Sequence, residues 1–148
     1  MFIRALIAFL ALPGIVAFAI PGAWVLAANT PLAHPAGLGL LIVGAAALLW
    51  CVRDFHVQGK GTLAPWSPPA RLVIVGLYRH TRNPMYVAVT LILLGWAVSF
   101  GISGLYIYAL AVAVAFQWRV VFGEEPRLAE RHGQQWTEYA RRVPRWFW

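Results

Sequence analysis

A chain of 148 residues that is 61% hydrophobic and only 11% charged lies well outside the make-up of a soluble domain, and its length allows one domain, most of it in a membrane. Lys and Arg outnumber Asp and Glu by 12 to 5, for a net charge of +7. These cations sit beside apolar runs, where anionic lipid headgroups are the nearer partner, so no nucleic-acid role is expected.

No Asp, Glu, Lys or Arg occurs from Ala5 to Val52, nor from Asn83 to Trp118. Each stretch is long enough for two membrane crossings of about 20 residues apiece. The turn-forming NTPLAHPAG, Asn29 to Gly37, divides the first, and SFGISG, Ser99 to Gly104, divides the second. The expected fold is an all-α integral membrane protein, a single domain over residues 1–148. Its spans fall at about 2–28, 36–52, 84–98 and 105–122, in two hairpins, with a cytosolic loop at 53–83 and a cytosolic amphipathic helix at 123–143.

The start imitates a signal peptide, with Arg4, an apolar run and VLAAN ending near Asn29. Such an apolar region usually has about 7–15 residues, and this one is longer, so a retained helix is expected. Pro13 and Pro21 then kink it, their freed carbonyls being satisfied inside the bundle. Arg53, Lys60, Arg71, Arg79 and Arg82 lie between the second and third spans, and Arg127, Arg131, Arg141, Arg142 and Arg145 follow the fourth. By the positive-inside rule both termini and the polar chemistry face the cytoplasm, in the expected setting of a bacterial inner membrane.

Cys51 is the only cysteine and closes an apolar run, as a buried small hydrophobe would. His34, His56, His80 and His132 are scattered, so no metal site is expected. The Pro-rich KGTLAPWSPPARLVIVG, Lys60 to Gly76, suits a stiff lid with Trp66 as an interface anchor. Its RLVIVG end reads as a short strand, an extended strip, or a membrane-hugging loop.

In GLYRHTRNPMYVA, Gly76 to Ala88, Asn83 is placed to cap a helix that Pro84 begins. With Arg79 and Arg82 just before it, that helix start is a ready site for a carboxylate or phosphate. Arg82 there either holds such a ligand or only snorkels to lipid phosphate. Past the fourth span, Leu128, His132, Trp136, Tyr139 and Val143 align along one helical face, which Gly133 weakens or breaks. Glu124 and Glu125 follow an apolar span directly and need a cation, either Arg119, Arg79 or a cationic ligand.

These residues resemble the isoprenylcysteine carboxyl methyltransferase and phospholipid methyltransferase family. Its R-H-P-x-Y-x-G element appears as Arg82-Asn83-Pro84-Met85-Tyr86-Val87-Ala88, and its Glu-Glu element as Glu124-Glu125, followed by Leu128, Gly133, Trp136, Tyr139 and Val143-Pro144-Arg145. Asn83 stands in place of the family His, a variation associated with bacterial members, and cannot titrate. Ala88 replaces a Gly, and Trp136 a usual Tyr.

The resemblance implies methyl transfer from S-adenosylmethionine to a lipophilic or small-molecule acceptor, whether an isoprenylcysteine-like carboxylate, a lipid amine or a thiol. It places the cofactor on the cytosolic side, against Ala70, Arg71, Leu72, Val73, Tyr78, Arg82, Asn83, Pro84, Met85, Tyr86, Glu124 and Glu125. Glu124 and Arg119 are the implied catalytic residues, Arg119 by an alignment offset by one position from an acceptor-facing arginine. Glu124 suits the ammonium or sulfonium, and Tyr78 and Tyr86 suit cation–π contact. Two other classes compete with this one: a small four-span transporter, disfavoured by the charge-free spans, and a non-catalytic membrane interaction protein docking through its basic face.

Overall fold

The computed structural model describes residues 10–59 and 71–147, with side chains from residue 13 onward. The first part of the first expected span, Arg4, the part of the expected lid from Lys60 to Ala70 with Trp66, and the cofactor contact assigned to Ala70 lie outside the described residues. Helix α1 opens as a π-helical stretch, Leu10–Ala19, and continues α-helically over Ile20–Ala28. Helix α2 is Ala36–Val57, and a 3-10 turn, Gly76–Arg79, precedes α3, Pro84–Phe100. Helix α4, Ser103–Arg119, runs through a π-helical segment, Val120–Glu124, into α5, Glu125–His132, and α6 is Gln134–Arg142. No strand occurs among the described residues. The strand reading of RLVIVG is thereby corrected: residues 71–75 run as an irregular strip without a ladder partner.

Helix α2 and the continuous helical run Ser103–His132 are long and apolar enough to cross a membrane; Pro13–Ala28 and Pro84–Phe100 are apolar but shorter. Helix α3 is the centre of the packing. Ala88, Val89, Ile92, Leu93 and Ala97 are all buried on it, joined by Ala17 of α1, Leu48 of α2 and Ala109 of α4. Its contact with α2 is set by small residues. A Cβ on Gly44 would lie 2.9 Å from the Ala88 carbonyl, and one on Gly95 would lie 2.7 Å from the Leu41 amide. Backbones approach this closely only where no side chain intervenes, which is how helices gain packing energy when lipid competes for every apolar contact.

Pro21 removes the N–H that a helix would aim at Val16 or Ala17, depending on whether the turn is π or α. Both freed carbonyls find donors on other helices: Trp96 Nε1 donates to Ala17 O at 2.9 Å and Tyr108 Oη to Val16 O at 3.0 Å. The distorted helix is thus stitched into the bundle at its weakest backbone. One turn further along, at the C-terminal end of α3, the Ala33 and His34 amides donate to Ser99 O at 2.7 and 3.1 Å, which fastens the first turn to the second.

Candidate active site

Pro84 opens α3 as its first-turn residue, where a missing N–H costs nothing. Asn83 holds the N-cap position but makes no side-chain capping bond, so the expected Asn cap is corrected. Its Nδ2 instead donates to Arg145 O at 3.0 Å, and Thr81 Oγ1 donates to the same carbonyl at 3.0 Å. The Arg82 amide donates to Pro144 O at 2.9 Å. Two donors thus satisfy the Arg145 carbonyl, and the Asn83 side chain is drawn away from its own helix to the C-terminal segment. The start of α3 and Pro144–Arg145 are latched together.

Glu125 completes the latch. Arg145 grips it bidentately, Nε to Oε1 at 3.0 Å and Nη2 to Oε2 at 2.7 Å, and Arg82 Nη1 reaches Oε1 at 2.9 Å. The carboxylate and the Arg82 guanidinium are 16% and 13% exposed, so these are desolvated, charge-assisted bonds rather than surface pairing. Hydrogen bonding to Glu125 holds Arg145 protonated, above its ordinary range. Arg82 also lies 5.5 Å from the centre of the Trp136 ring, a cation–π contact. Tyr139 Oη donates to Tyr78 O at 2.7 Å, and burial pushes its phenol up to about 12. The face predicted on the C-terminal helix is visible here: Trp136, Tyr139 and Val143 are buried with Leu72 and Leu128 against them, and the helix breaks at Gly133, whose φ of +51 favours a residue without a side chain.

Glu124 has different surroundings. Five residues along an α-helix turn through roughly 500°, which would leave positions 119 and 124 on different sides. The π-helical bonding of Val120–Glu124, from each residue to the fifth beyond it, brings them to one side. Arg119 Nε reaches Glu124 Oε1 at 2.8 Å and Tyr86 Oη at 3.1 Å, while Tyr86 Oη donates to the same Glu124 oxygen. The Tyr86 ring lies 4.3 Å from that of Phe116. Arg119 and Glu124 side chains are 46% and 33% exposed, so their pairing adds little to stability, about 0–1 kcal/mol. Directly beside them an apolar cleft of about 420 Å³ runs between α3 and α4, lined by Val87, Leu91, Leu94, Ala113, Phe116 and Trp146 among others. Phe116 joins the two, meeting the Tyr86 ring on one side and lining the cleft on the other.

Of the other expected contacts, Val73 and Tyr78 are buried with Cys51 in one cluster against which Met85 packs, Leu72 packs on the latch, and Arg71 is exposed. Burial holds the Tyr78 phenol well above its usual range. Arg79 is exposed and makes no ion pair with either glutamate, the cations being Arg119, Arg82 and Arg145. Sequence reasoning missed Asp54. Helix α2 continues to Val57, five residues beyond the expected span end, and buries that carboxylate beside Cys51. An acidic residue on the last turns of an apolar helix, in a chain with 5 acidic residues, was the available signal.

A sequence model of the family described as phospholipid methyltransferase matches residues 32–135, most of the chain. A Delta(14)-sterol reductase of Mus musculus is 30% identical over 93 residues, which are 62% of this chain and 22% of that protein. The chain therefore spans under a quarter of the length of this curated relative. No solved structure matches.

Proposed function

The chain belongs to the phospholipid methyltransferase family, and we propose that it transfers a methyl group from S-adenosylmethionine to a lipophilic acceptor at the cytosolic face of a membrane. The observation that carries this reading is the Tyr86–Glu124–Arg119 trio beside the apolar cleft between α3 and α4, with Phe116 touching both. A transporter would need a polar path through the bundle, and a docking protein would have no use for an apolar slot beside a polar trio. An acceptor whose hydrocarbon part fills the slot presents its reacting head to Arg119.

The donor set fits a cofactor that carries a sulfonium, an ammonium and a carboxylate. Glu124 is an anion with one face open to solvent, and Tyr86 and Phe116 offer ring faces. Bound, the cofactor supplies an activated methyl group. The residues of the chain orient and desolvate: Tyr86 and Phe116 exclude water from one side, and Arg119 holds the acceptor head in line, which supplies most of the acceleration expected of such a transfer. Glu125 and Arg82 are engaged with each other, so their part is to hold the start of α3, and with it Tyr86, in register.

The same reading makes α1 and α3 shorter spans beside α2 and α4, with both termini and the trio cytoplasmic, as loop cations direct. The test is purified protein in lipid nanodiscs with methyl-labelled S-adenosylmethionine and, separately, an isoprenylcysteine, an aminolipid and a hydrophobic thiol. Label should enter the organic phase with one of the three. Cofactor that remains unbound in a folded sample would end the methyltransferase reading.

A further inference from the structure

Asp54 carries an oxygen that nothing among the described residues uses. Its side chain is 8% exposed; Oδ1 lies 3.6 Å from Arg53 Nη1, and Oδ2 is buried without any hydrogen-bond partner. A buried carboxylate oxygen left unpaired is costly, and chains retain such a group where a ligand supplies the missing donor. The surroundings agree. Gly76, in the left-handed region at φ +57, lies directly over it: a Cβ there would stand 2.2 Å from Oδ2 and 2.9 Å from Trp50 Nε1. The chain has given up a side chain at Gly76 that this carboxylate would not allow. Two residues on, Tyr78 is buried between this corner and the α3 start, in one cluster with Cys51 and Val73, and Met85 packs on it.

We propose that Asp54 is a cofactor-binding residue that accepts a hydrogen bond from the nucleoside half of S-adenosylmethionine, a ribose hydroxyl or the adenine amine. This rests on the methyltransferase reading. The division of labour follows from placement: the trio at the apolar cleft serves the charged, reacting end, and Asp54, on the far side of Tyr78, serves the neutral end. A carboxylate is the usual acceptor for ribose hydroxyls in nucleotide sites of other folds, because two oxygens match two adjacent donors. The strip carrying Gly76 covers Oδ2, so the donor reaches it when that strip yields.

Equilibrium binding of S-adenosylmethionine and of its 2′-deoxy, 3′-deoxy and N6,N6-dimethyl analogues, to wild type and to Asp54→Ala in detergent, tests this. One analogue should bind wild type about ten-fold more weakly than the parent, the loss expected for a bond to a charged acceptor. Asp54→Ala should bind the parent as weakly as that analogue and no longer distinguish the two, and the analogue that matters identifies the donor. The variant should melt no lower than wild type, since it removes a buried oxygen without a hydrogen-bond partner; a purely structural Asp54 would lower the melting temperature and leave the analogue ranking intact. Equal binding of all four compounds by wild type would overturn the proposal even if the variant failed to fold. Failure of wild type to bind the parent would instead remove the methyltransferase reading beneath it.

Discussion

Glu124 and Glu125 are neighbours of identical chemistry, and the fold gives them opposite tasks. Glu125 is largely enclosed, gripped by two arginines from distant parts of the chain, and latches the C-terminal segment to the start of α3. Glu124 is one-third exposed, paired with one arginine five residues back, and accepts from Tyr86, whose ring meets the cleft wall at Phe116. A carboxylate largely enclosed by partners contributes to architecture; one left with an open side is available for a ligand. The π-helical segment decides which is which, because it turns the chain so that Glu124 faces Arg119 and Tyr86 while Glu125 begins α5 facing the latch.

The comparison breaks most sharply at the buried member. Glu125→Gln leaves two guanidinium groups without their counter-charge, one of them almost wholly enclosed, and should destabilise the fold by about 3 kcal/mol or more. Thermal melting in detergent reads this directly. A melting temperature equal to wild type would show that the latch does not hold the C-terminal segment.

Glu124→Gln should behave in the opposite manner. Its stability should stay within about 1 kcal/mol of wild type, because the pair it breaks is half-exposed. Cofactor binding should weaken by about 2 kcal/mol or more, as when one partner of a desolvated charge pair is removed. Calorimetry on the folded variant decides, and unchanged affinity would remove Glu124 from the site.

How far this division was legible beforehand depends on the range of the contacts. Local signals held: Pro84 opens a helix, Gly133 breaks one, and Trp136, Tyr139 and Val143 share a buried face. The need of the glutamates for cations was also readable from charge alone, and Arg119 was among the candidates. Which glutamate goes where was not, because an α-helical reading places residues 119 and 124 on different sides and only a π turn joins them. Asn83 was misread as a cap because the carbonyl it serves, Arg145 O, is 62 residues away. Asp54 was hidden for a related reason: its charge stood out at the end of an apolar helix, but Gly76, which lies over it, comes from beyond the loop that follows α2.

Within the trio, Arg119→Lys keeps the charge but loses the planar fork that reaches both Glu124 and Tyr86. If Arg119 faces the acceptor, the variant should lose about 1 kcal/mol, read as a higher acceptor KM with cofactor affinity unchanged. A fall in cofactor affinity at constant acceptor KM would reassign Arg119 to the cofactor.

The smallest effect tests the latch from its other end, through pH. Tyr139 donates its hydroxyl proton to Tyr78 O, and burial raises its pKa to about 12, above its ordinary value. The folded state therefore favours the protonated phenol. For a group raised in this way, the stabilisation is complete below the unfolded value, about 10, and is lost as pH climbs through the folded one. Wild type should accordingly lose stability between about pH 10 and pH 12, by a slope that Tyr139→Phe lacks. The Phe variant should start about 1 kcal/mol less stable at neutral pH, having lost the hydrogen bond to Tyr78. The two melting curves should then converge as pH rises, because deprotonation removes the same bond from wild type. Parallel curves across that window would mean that Tyr139 takes no part in fastening the C-terminal segment beneath the site, leaving the Glu125 arginines as its only tested fastening.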